Sequence, residues 1–353
     1  MKKVALVAGA TGIAGSSLVQ ELDGNDDWHV IGLSRRSIAE SENVSSISAD
    51  LTDLNSLNNV AGELVKVTHI FYNAYMQLGT RAAEIAPNLE MLQNLVNTVE
   101  KVSPDLRHVQ LTHGSKWYGS HLGPYLTPAK EDQPRPPMPV FYHSQQDWLA
   151  SRQQGKAWTW SALRPHGIWG FAIGSQLNMM NAIAVYATLL KHMELPLVFP
   201  GKQGAYTALY QCTDAGYYAR SMVWAATHES AANEAFNITN GDYIRWSHAW
   251  PLIAEWFGMP VGEPLSFDVG AFASDKEDMW GEICRKYDLK KYSISDLTTW
   301  EAAISFIFNA DWDQMSAMTK AQQAGWGEVV DTYEMIPRML DTLASERVIP
   351  PRN

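Results

Sequence analysis

A tyrosine, a lysine, three glycines and a pair of arginines are the residues of this chain whose types and spacing could do chemistry. Gly9, Gly12 and Gly15 stand three apart, between an apolar run from Val4 to Val7 and a helix-like run from Ser16 to Leu22. In such a turn the first glycine permits a tight bend, the second lets backbone approach a pyrophosphate, and the third lets helix pack closely on strand. The N–H groups of the helix start then face the phosphates, and the helix dipole favours their charge. The expectation is a dinucleotide site that includes Gly9, Thr11, Gly12, Ile13 and Gly15. A glycine-lined strand–helix turn with no ligand is the alternative.

The second apolar strand ends in Gly32-Leu-Ser-Arg-Arg-Ser37. In a dinucleotide fold this end faces the adenosine ribose, where an acid favours NAD and arginines pair with a 2′-phosphate. Ser34, Arg35 and Arg36 supply a hydroxyl and two guanidinium forks, which suit phosphate geometry. NADPH is therefore the expected cofactor. Asp50 and Leu51 fall where an adenine ring is edged, although Asp50 would serve equally as a helix cap.

Ligands in this fold gather beyond the carboxyl ends of the strands. Asn73 and Ala74 end the fourth strand, Thr112 ends the fifth, and Pro165 and Ile168 follow the sixth, so all five are expected to border the nicotinamide half. Many short-chain dehydrogenases carry a tyrosine with a lysine four residues later, on one helix face. Here Phe141-Tyr-His-Ser-Gln-Gln-Asp147 offers Tyr142, but Gln146 stands in the lysine's place. A phenol alone is a poor acid near neutral pH. Lys116, after the fifth strand, could supply a cation from another direction, or be an exposed loop lysine. No His, Asp or Glu cluster has metal-ligand spacing, and there is no Gly-x-Ser-x-Gly elbow.

The elements that must position these residues alternate strand and helix through the first half. Strands are expected at 4–7, 29–33, 44–48, 69–72, 108–112 and 158–163, with a long helix from Ala83 to Lys101. That alternation implies an α/β, Rossmann-type, doubly wound parallel sheet over residues 1–165. Residues 166–353 read as a smaller, mostly helical substrate-binding region, with helices at 177–192, 213–226 and 246–257. The boundary is interleaved, because the strand-like run 235–239 could return to the sheet. The 14 Trp and 14 Met could line a roomy apolar pocket, but core packing is the ordinary use of such residues.

Composition excludes several classes. With 46% hydrophobic and 18% charged residues, the chain reads as globular. A net charge of −11 gives no electrostatic reason to bind nucleic acid or anionic lipid. No apolar run approaches the ~20 residues of a membrane span. Two distant cysteines, Cys212 and Cys284, offer no disulfide framework, and no signal-peptide pattern precedes the first strand. A cytoplasmic protein is the expectation.

Several segments together resemble one family, the progesterone 5β-reductase and iridoid synthase-like reductases, an atypical extended branch of the short-chain dehydrogenases. They are Thr112-His-Gly-Ser-Lys-Trp-Tyr-Gly119 with Leu122-Gly-Pro-Tyr125, Phe141 to Asp147, and Arg164-Pro-His-Gly-Ile-Trp-Gly-Phe171. Val185-Tyr-Ala187, Leu195 to Gly201 and Asn233 to Asp242 are similar too. The resemblance implies Lys116 and Tyr142 as the catalytic pair, and NADPH-dependent reduction of the carbon–carbon double bond of an enone or enal. It implies hydride delivery to the β-carbon and a developing enolate stabilised by the tyrosine, a role for which a preorganised donor suits. It also implies a small apolar substrate, a homodimer, and substrate contacts from Trp117, Asn178 and Trp326. Three residues depart from the family pattern: His143 replaces an aromatic, Gln146 an acid, and Trp117 a histidine. Two other functions compete: an extended dehydrogenase or epimerase acting on a carbonyl or nucleotide sugar, and a sensor that binds NADPH without chemistry.

Overall fold

Continuous apolar runs make the strands, as expected of a sheet buried on both faces. Ala5 to Ala8 of the first strand are all fully buried. The computed structural model describes residues 2–175, 178–300, 304 and 306–352. Its strands are β1 (Lys3–Ala8), β2 (Trp28–Ser34), β3 (Val44–Ser48), β4 (His69–Tyr72), β5 (His108–Thr112), β6 (Thr159–Pro165), β7 (Gly167–Trp169), β8 (Cys212–Asp214) and β9 (Glu234–Ile238). The helices that matter most are α1 (Ile13–Asp23), α2 (Leu54–Val60), α3 (Arg81–Val102), α4 (Phe141–Gln153), α5 (Met179–His192), α6 (Gln203–Thr207), α7 (Ala215–Thr227) and α8 (Trp246–Phe257). A last long helix spans Thr332–Ser345.

Seven strands form one sheet in the order β3-β2-β1-β4-β5-β6-β9, and every pairing within it is parallel. This is the Rossmann-type architecture. The strand order reverses between β1 and β4, which opens the crevice where such sheets bind ligands. Strand β9 joins the far edge, pairing Ala235 with Ala162 and Ile238 with Pro165.

The layers follow from burial. Leu92, Leu95, Val96 and Val99 of α3 pack with Leu149 of α4 on Ile70, Val109 and Leu111 of the sheet. Leu18 and Leu22 of α1 pack with Tyr217 and Met222 of α7 on the other face, against Val7, Val30 and Phe71. A third core holds α5, α8 and the Thr332–Ser345 helix together around Trp169, Tyr186, Phe199, Trp246, Trp250 and Trp280. Much of the tryptophan in this chain is therefore core.

Two differences from the sequence reading have simple causes. The expected helix from Thr213 starts at Ala215, because Asp214 caps it by accepting from the Tyr217 N–H, which leaves Thr213 to pair with Ile168 in a short second sheet. The helix expected from Leu177 begins at Met179, and Leu177 itself lies outside the described residues. No helix among the described residues is long and apolar enough to cross a membrane, and no group of three or more potential ligands there could hold a metal ion.

Candidate active site

The glycine turn sits at the reversal point. Gly9 adopts φ +79°, and a Cβ there would fall 2.8 Å from the backbone of Asn73. A Cβ on Gly15 would fall 2.2 Å from the Gly9 carbonyl, so helix and turn touch as closely as backbone allows. Gly12 is different: a Cβ there would meet nothing nearer than the Gly9 oxygen at 3.4 Å. Its outer side is open, and no side chain caps the start of α1. Asn73 accepts from the Thr112 hydroxyl at 2.6 Å, while its own Nδ2 is buried without a partner among the described residues. A pyrophosphate over Gly12, with a donor waiting at Asn73, fits these groups. Ile13 and Ile168 pack in one small apolar cluster, which brings together the first and last segments expected to hold a dinucleotide.

At the end of β2, Arg35 and Arg36 are both exposed, and neither makes an ion pair among the described residues. Ser34 donates its hydroxyl to the Arg36 carbonyl. The Arg36 guanidinium lies against Gly174, where a Cβ would stand 3.1 Å from it. Asp50 accepts from the Thr52 N–H at 2.9 Å and its hydroxyl at 2.7 Å. Those bonds, with the charge of Arg35, hold its carboxyl below the usual range. The helix cap is Asp53, which accepts from the Asn55 N–H, so capping does not occupy Asp50. Leu51 is buried in the core, and its carbonyl accepts from Asn94.

Tyr142 and Lys116 come from separate elements at the carboxyl end of the sheet. Tyr142 is the second residue of α4, and Lys116 lies in a 3-10 turn, Ser115–Tyr118, just past β5. A Cβ on Gly114 would lie 3.4 Å from the Tyr142 hydroxyl and 3.6 Å from the Pro165 carbonyl, so the phenol sits where the ends of β5 and β6 meet. Burial pushes the Tyr142 phenol well above its ordinary pKa, against the opposing charge of Arg81. Burial pulls the Lys116 ammonium down to about 8, helped by Arg81 and opposed by Glu84. Near neutral pH the pair is a protonated phenol and a largely protonated amine.

Between them stands a network that the motif reading did not find. Tyr75, just beyond β4, stacks on Phe141 with ring centres 5.2 Å apart. The Lys116 ammonium lies 6.0 Å from the centre of the same Tyr75 ring. The Tyr75 hydroxyl donates to Glu84 at 2.8 Å and accepts from Arg81 at 3.0 Å. Glu84, whose side chain is 1% exposed, also accepts from Arg81 and from the Leu78 N–H. One signal was present in the sequence: Glu84 and Asn88 lie on the buried stripe of α3 with Leu92 and Leu95, at helical spacing.

Trp117, expected beside substrate, is packed instead into a buried stack. Arg164 covers it at 3.8 Å and Arg135 at 4.8 Å, while His113 stacks on it at 5.5 Å. His113, 4% exposed, is in turn tilted against Tyr142 at 4.9 Å. His143 places its edge on Trp117, accepts from the Val140 N–H, and donates Nε2–H to the Trp117 carbonyl at 3.0 Å. Its two nitrogens are thus spent on structure, and burial lowers its pKa, so it is no acid for catalysis. Gln146 accepts from Arg164 rather than facing Tyr142.

Asn178 and Trp326 also lie elsewhere than expected. Asn178 caps α5 by accepting from the Asn181 N–H, and both hydrogens of its amide go to the Gly170 and Ala172 carbonyls. No donor is left to offer a substrate. Trp326 is buried against Tyr217 and Trp224 in the core beneath α7, and its indole N–H donates to the Tyr217 hydroxyl.

Comparison with known proteins places the chain in a family. A family model described as a PRISE-like Rossmann-fold domain matches residues 44–350. The (S)-8-oxocitronellyl enol synthase of Nepeta racemosa is 32% identical, over 99% of this chain and 94% of that protein. The 3-oxo-Delta(4,5)-steroid 5-beta-reductase of Arabidopsis thaliana is 30% identical, again over 99% and 94%. Among solved structures, the UDP-glucose 4-epimerase of Thermus thermophilus, in complex with NAD, aligns with a TM-score of 0.66 over 96% of this chain and 98% of that one. At 16% identity, that likeness is one of fold. On the family match and the full-length relatives together, the chain belongs to the PRISE-like family of Rossmann-fold proteins, with the progesterone 5β-reductases and iridoid synthases.

Proposed function

We propose that this protein is an NADPH-dependent oxidoreductase that reduces the activated carbon–carbon double bond of a small, apolar enone or enal. One observation supports the reading: Lys116 lies over the Tyr75 ring and Phe141, the neighbour of Tyr142, stacks on that same ring, at the carboxyl end of the sheet beside an open glycine turn. The names of its relatives, an enol synthase and a steroid 5-beta-reductase, support the same chemistry. Ser34, Arg35 and Arg36 would hold a 2′-phosphate; Gly9, Gly12, Gly15 and Asn73 would hold the pyrophosphate and its neighbours.

NADPH, when bound, supplies a hydride to the β-carbon. The chain's own residues act on the oxygen. Tyr142, kept protonated by burial, donates a hydrogen bond to the substrate carbonyl, which strengthens as negative charge gathers there. Lys116 places a positive charge near that oxygen. Neither group has to be reorganised during the reaction, because α4 and the 3-10 turn hold both in advance. Two free cysteines, Cys212 and Cys284, suit a reducing, cytoplasmic setting.

The test is direct. Purified protein receives NADPH or NADH with a panel of enones, enals, saturated ketones and UDP-sugars, followed by cofactor absorbance and by product mass and NMR. Saturated carbonyl products, with NADPH preferred, are expected. Alcohols or epimerised sugars would support the reading that the epimerase-like fold allows. Tight NADPH binding without turnover would mean a sensor. Light scattering of the same sample reads whether the protein is the homodimer expected of its relatives.

A further inference from the structure

A catalytic lysine on a flexible four-carbon stem must be held, and the usual holder is a carboxylate. Lys116 has none at bonding distance: it makes no ion pair within the described residues, Glu84 reaches it only through its charge, and its ammonium lies over the face of Tyr75. A ring face attracts a cation without neutralising it. That ring is itself fixed on three sides. Its hydroxyl is tied to Glu84 and Arg81, and its face lies against Phe141 with an interplanar angle of 15°. Phe141 immediately precedes Tyr142, and their rings are 4.4 Å apart. Tyr75 therefore faces the lysine directly and reaches the catalytic tyrosine through one neighbour. It reaches both from β4, a strand that supplies neither.

We propose that Tyr75 is a positioning residue that sets Lys116 and Tyr142 in register, with the Arg81–Glu84 pair as its anchor. Its ring is a platform for the ammonium, and its stacking on Phe141 fixes the first turn of α4. Glu84 acts on the ammonium through its charge but is bonded to the ring: it turns Tyr75 to the angle at which the face meets Lys116. The inference rests on the reductase reading for its kinetic consequence, but the geometry can be tested apart from it.

Lysines of the full-length protein are methylated with ¹³C-formaldehyde, which keeps their charge, and the Lys116 signal is assigned by its loss in Lys116→Arg. In the unsubstituted protein this signal is expected upfield of the exposed lysines, with NOEs to the Tyr75 ring. Tyr75→Leu should move it to the exposed position, and Tyr75→Phe should leave it in place. A Lys116 signal without ring shift or NOE overturns the proposal, whether or not any variant folds. For turnover, Tyr75→Leu is expected to lower kcat about 10- to 100-fold with KM for NADPH little changed, as a misplaced catalytic group does. Tyr75→Phe should recover most of it. In a Lys116→Ala background, the further loss from Tyr75→Leu should shrink to about twofold, because the two residues act as one unit. Fully additive losses overturn the proposal. Failure of the unsubstituted protein to reduce any alkene would count against the reductase reading alone, since the NMR arm still decides the contact.

Discussion

Arg164 lays its guanidinium 3.8 Å from the centre of the Trp117 ring, and no acidic side chain among the described residues pairs with it. The side chain is 2% exposed. Its donors go to the Tyr118 hydroxyl at 2.9 Å, the Glu131 carbonyl at 3.2 Å and Gln146 Oε1 at 3.2 Å, while Nε is left without a partner. A buried cation is thus carried by neutral acceptors and an indole face. Burial lowers its pKa, and the hydrogen bond to Tyr118 and the more distant charge of Glu131 oppose that.

Gln146→Glu should therefore stabilise the protein. It replaces a neutral acceptor with a charged one, and hydrogen bonds to charged groups are worth about 1.5–3 kcal/mol. The new carboxyl would have its folded pKa depressed by Arg164. Its contribution is then complete above the unfolded value of about 4.3 and is lost as pH falls through the folded value. Urea midpoints at pH 7 and at pH 3 should show the full gain at the first and a clearly smaller one at the second. A loss of stability at pH 7 would mean that desolvation of the carboxylate outweighs its attraction to Arg164.

Tyr142→Phe should lower kcat by about 10²- to 10³-fold, the range seen when one donor to a developing oxyanion is removed. Affinity for NADPH, measured by quenching of intrinsic fluorescence, should stay within about twofold, since ring and packing are kept. Unchanged turnover would remove the phenol from the mechanism.

The rate should also depend on pH through Lys116, whose pKa is pulled down to about 8. The cation is the useful form, so kcat should be flat below that value and fall as the ammonium loses its proton at higher pH. Lys116→Arg keeps the charge at every accessible pH and should remove the alkaline limb, although its planar fork will not reproduce the full rate. A limb that persists in that variant belongs to another group.

Arg35→Ala and Arg36→Ala should each raise KM for NADPH about 10- to 100-fold, the equivalent of about 1.5–3 kcal/mol for a charge-assisted bond. KM for NADH should hardly move. Both side chains are exposed, so the preference for NADPH should also weaken as salt is raised. Equal effects on the two cofactors would show that the arginines do not read the 2′-phosphate.

The sheet was legible because its strands are short apolar runs with sharp ends. Val44–Ser48, His69–Tyr72 and His108–Thr112 are where the pattern puts them. β7 and β8 were not legible, because three residues carry no periodicity. Within the candidate site, Tyr142 and Lys116 were proposed from residue type and resemblance. The role of Tyr75 escaped because its partners are Glu84, nine residues on across a strand–helix junction, and Lys116, which only folding brings near. Asn178 and Trp326 failed for the opposite reason. Sequence gives a residue's place along the chain, whereas the direction of its side chain is decided by local needs: a cap at the start of α5, and a packed indole beneath α7.

One strand bears on how this protein can be taken apart. After leaving the sheet at Pro165, the chain builds α5, α6 and α7 and then returns through β9, which pairs with the very strand it left. The helical region is therefore moored at two points along β6. No single cut in the chain can release the helical region from the sheet, and a fragment ending at Pro165 would present the bare flank of β6 to any strand that came by.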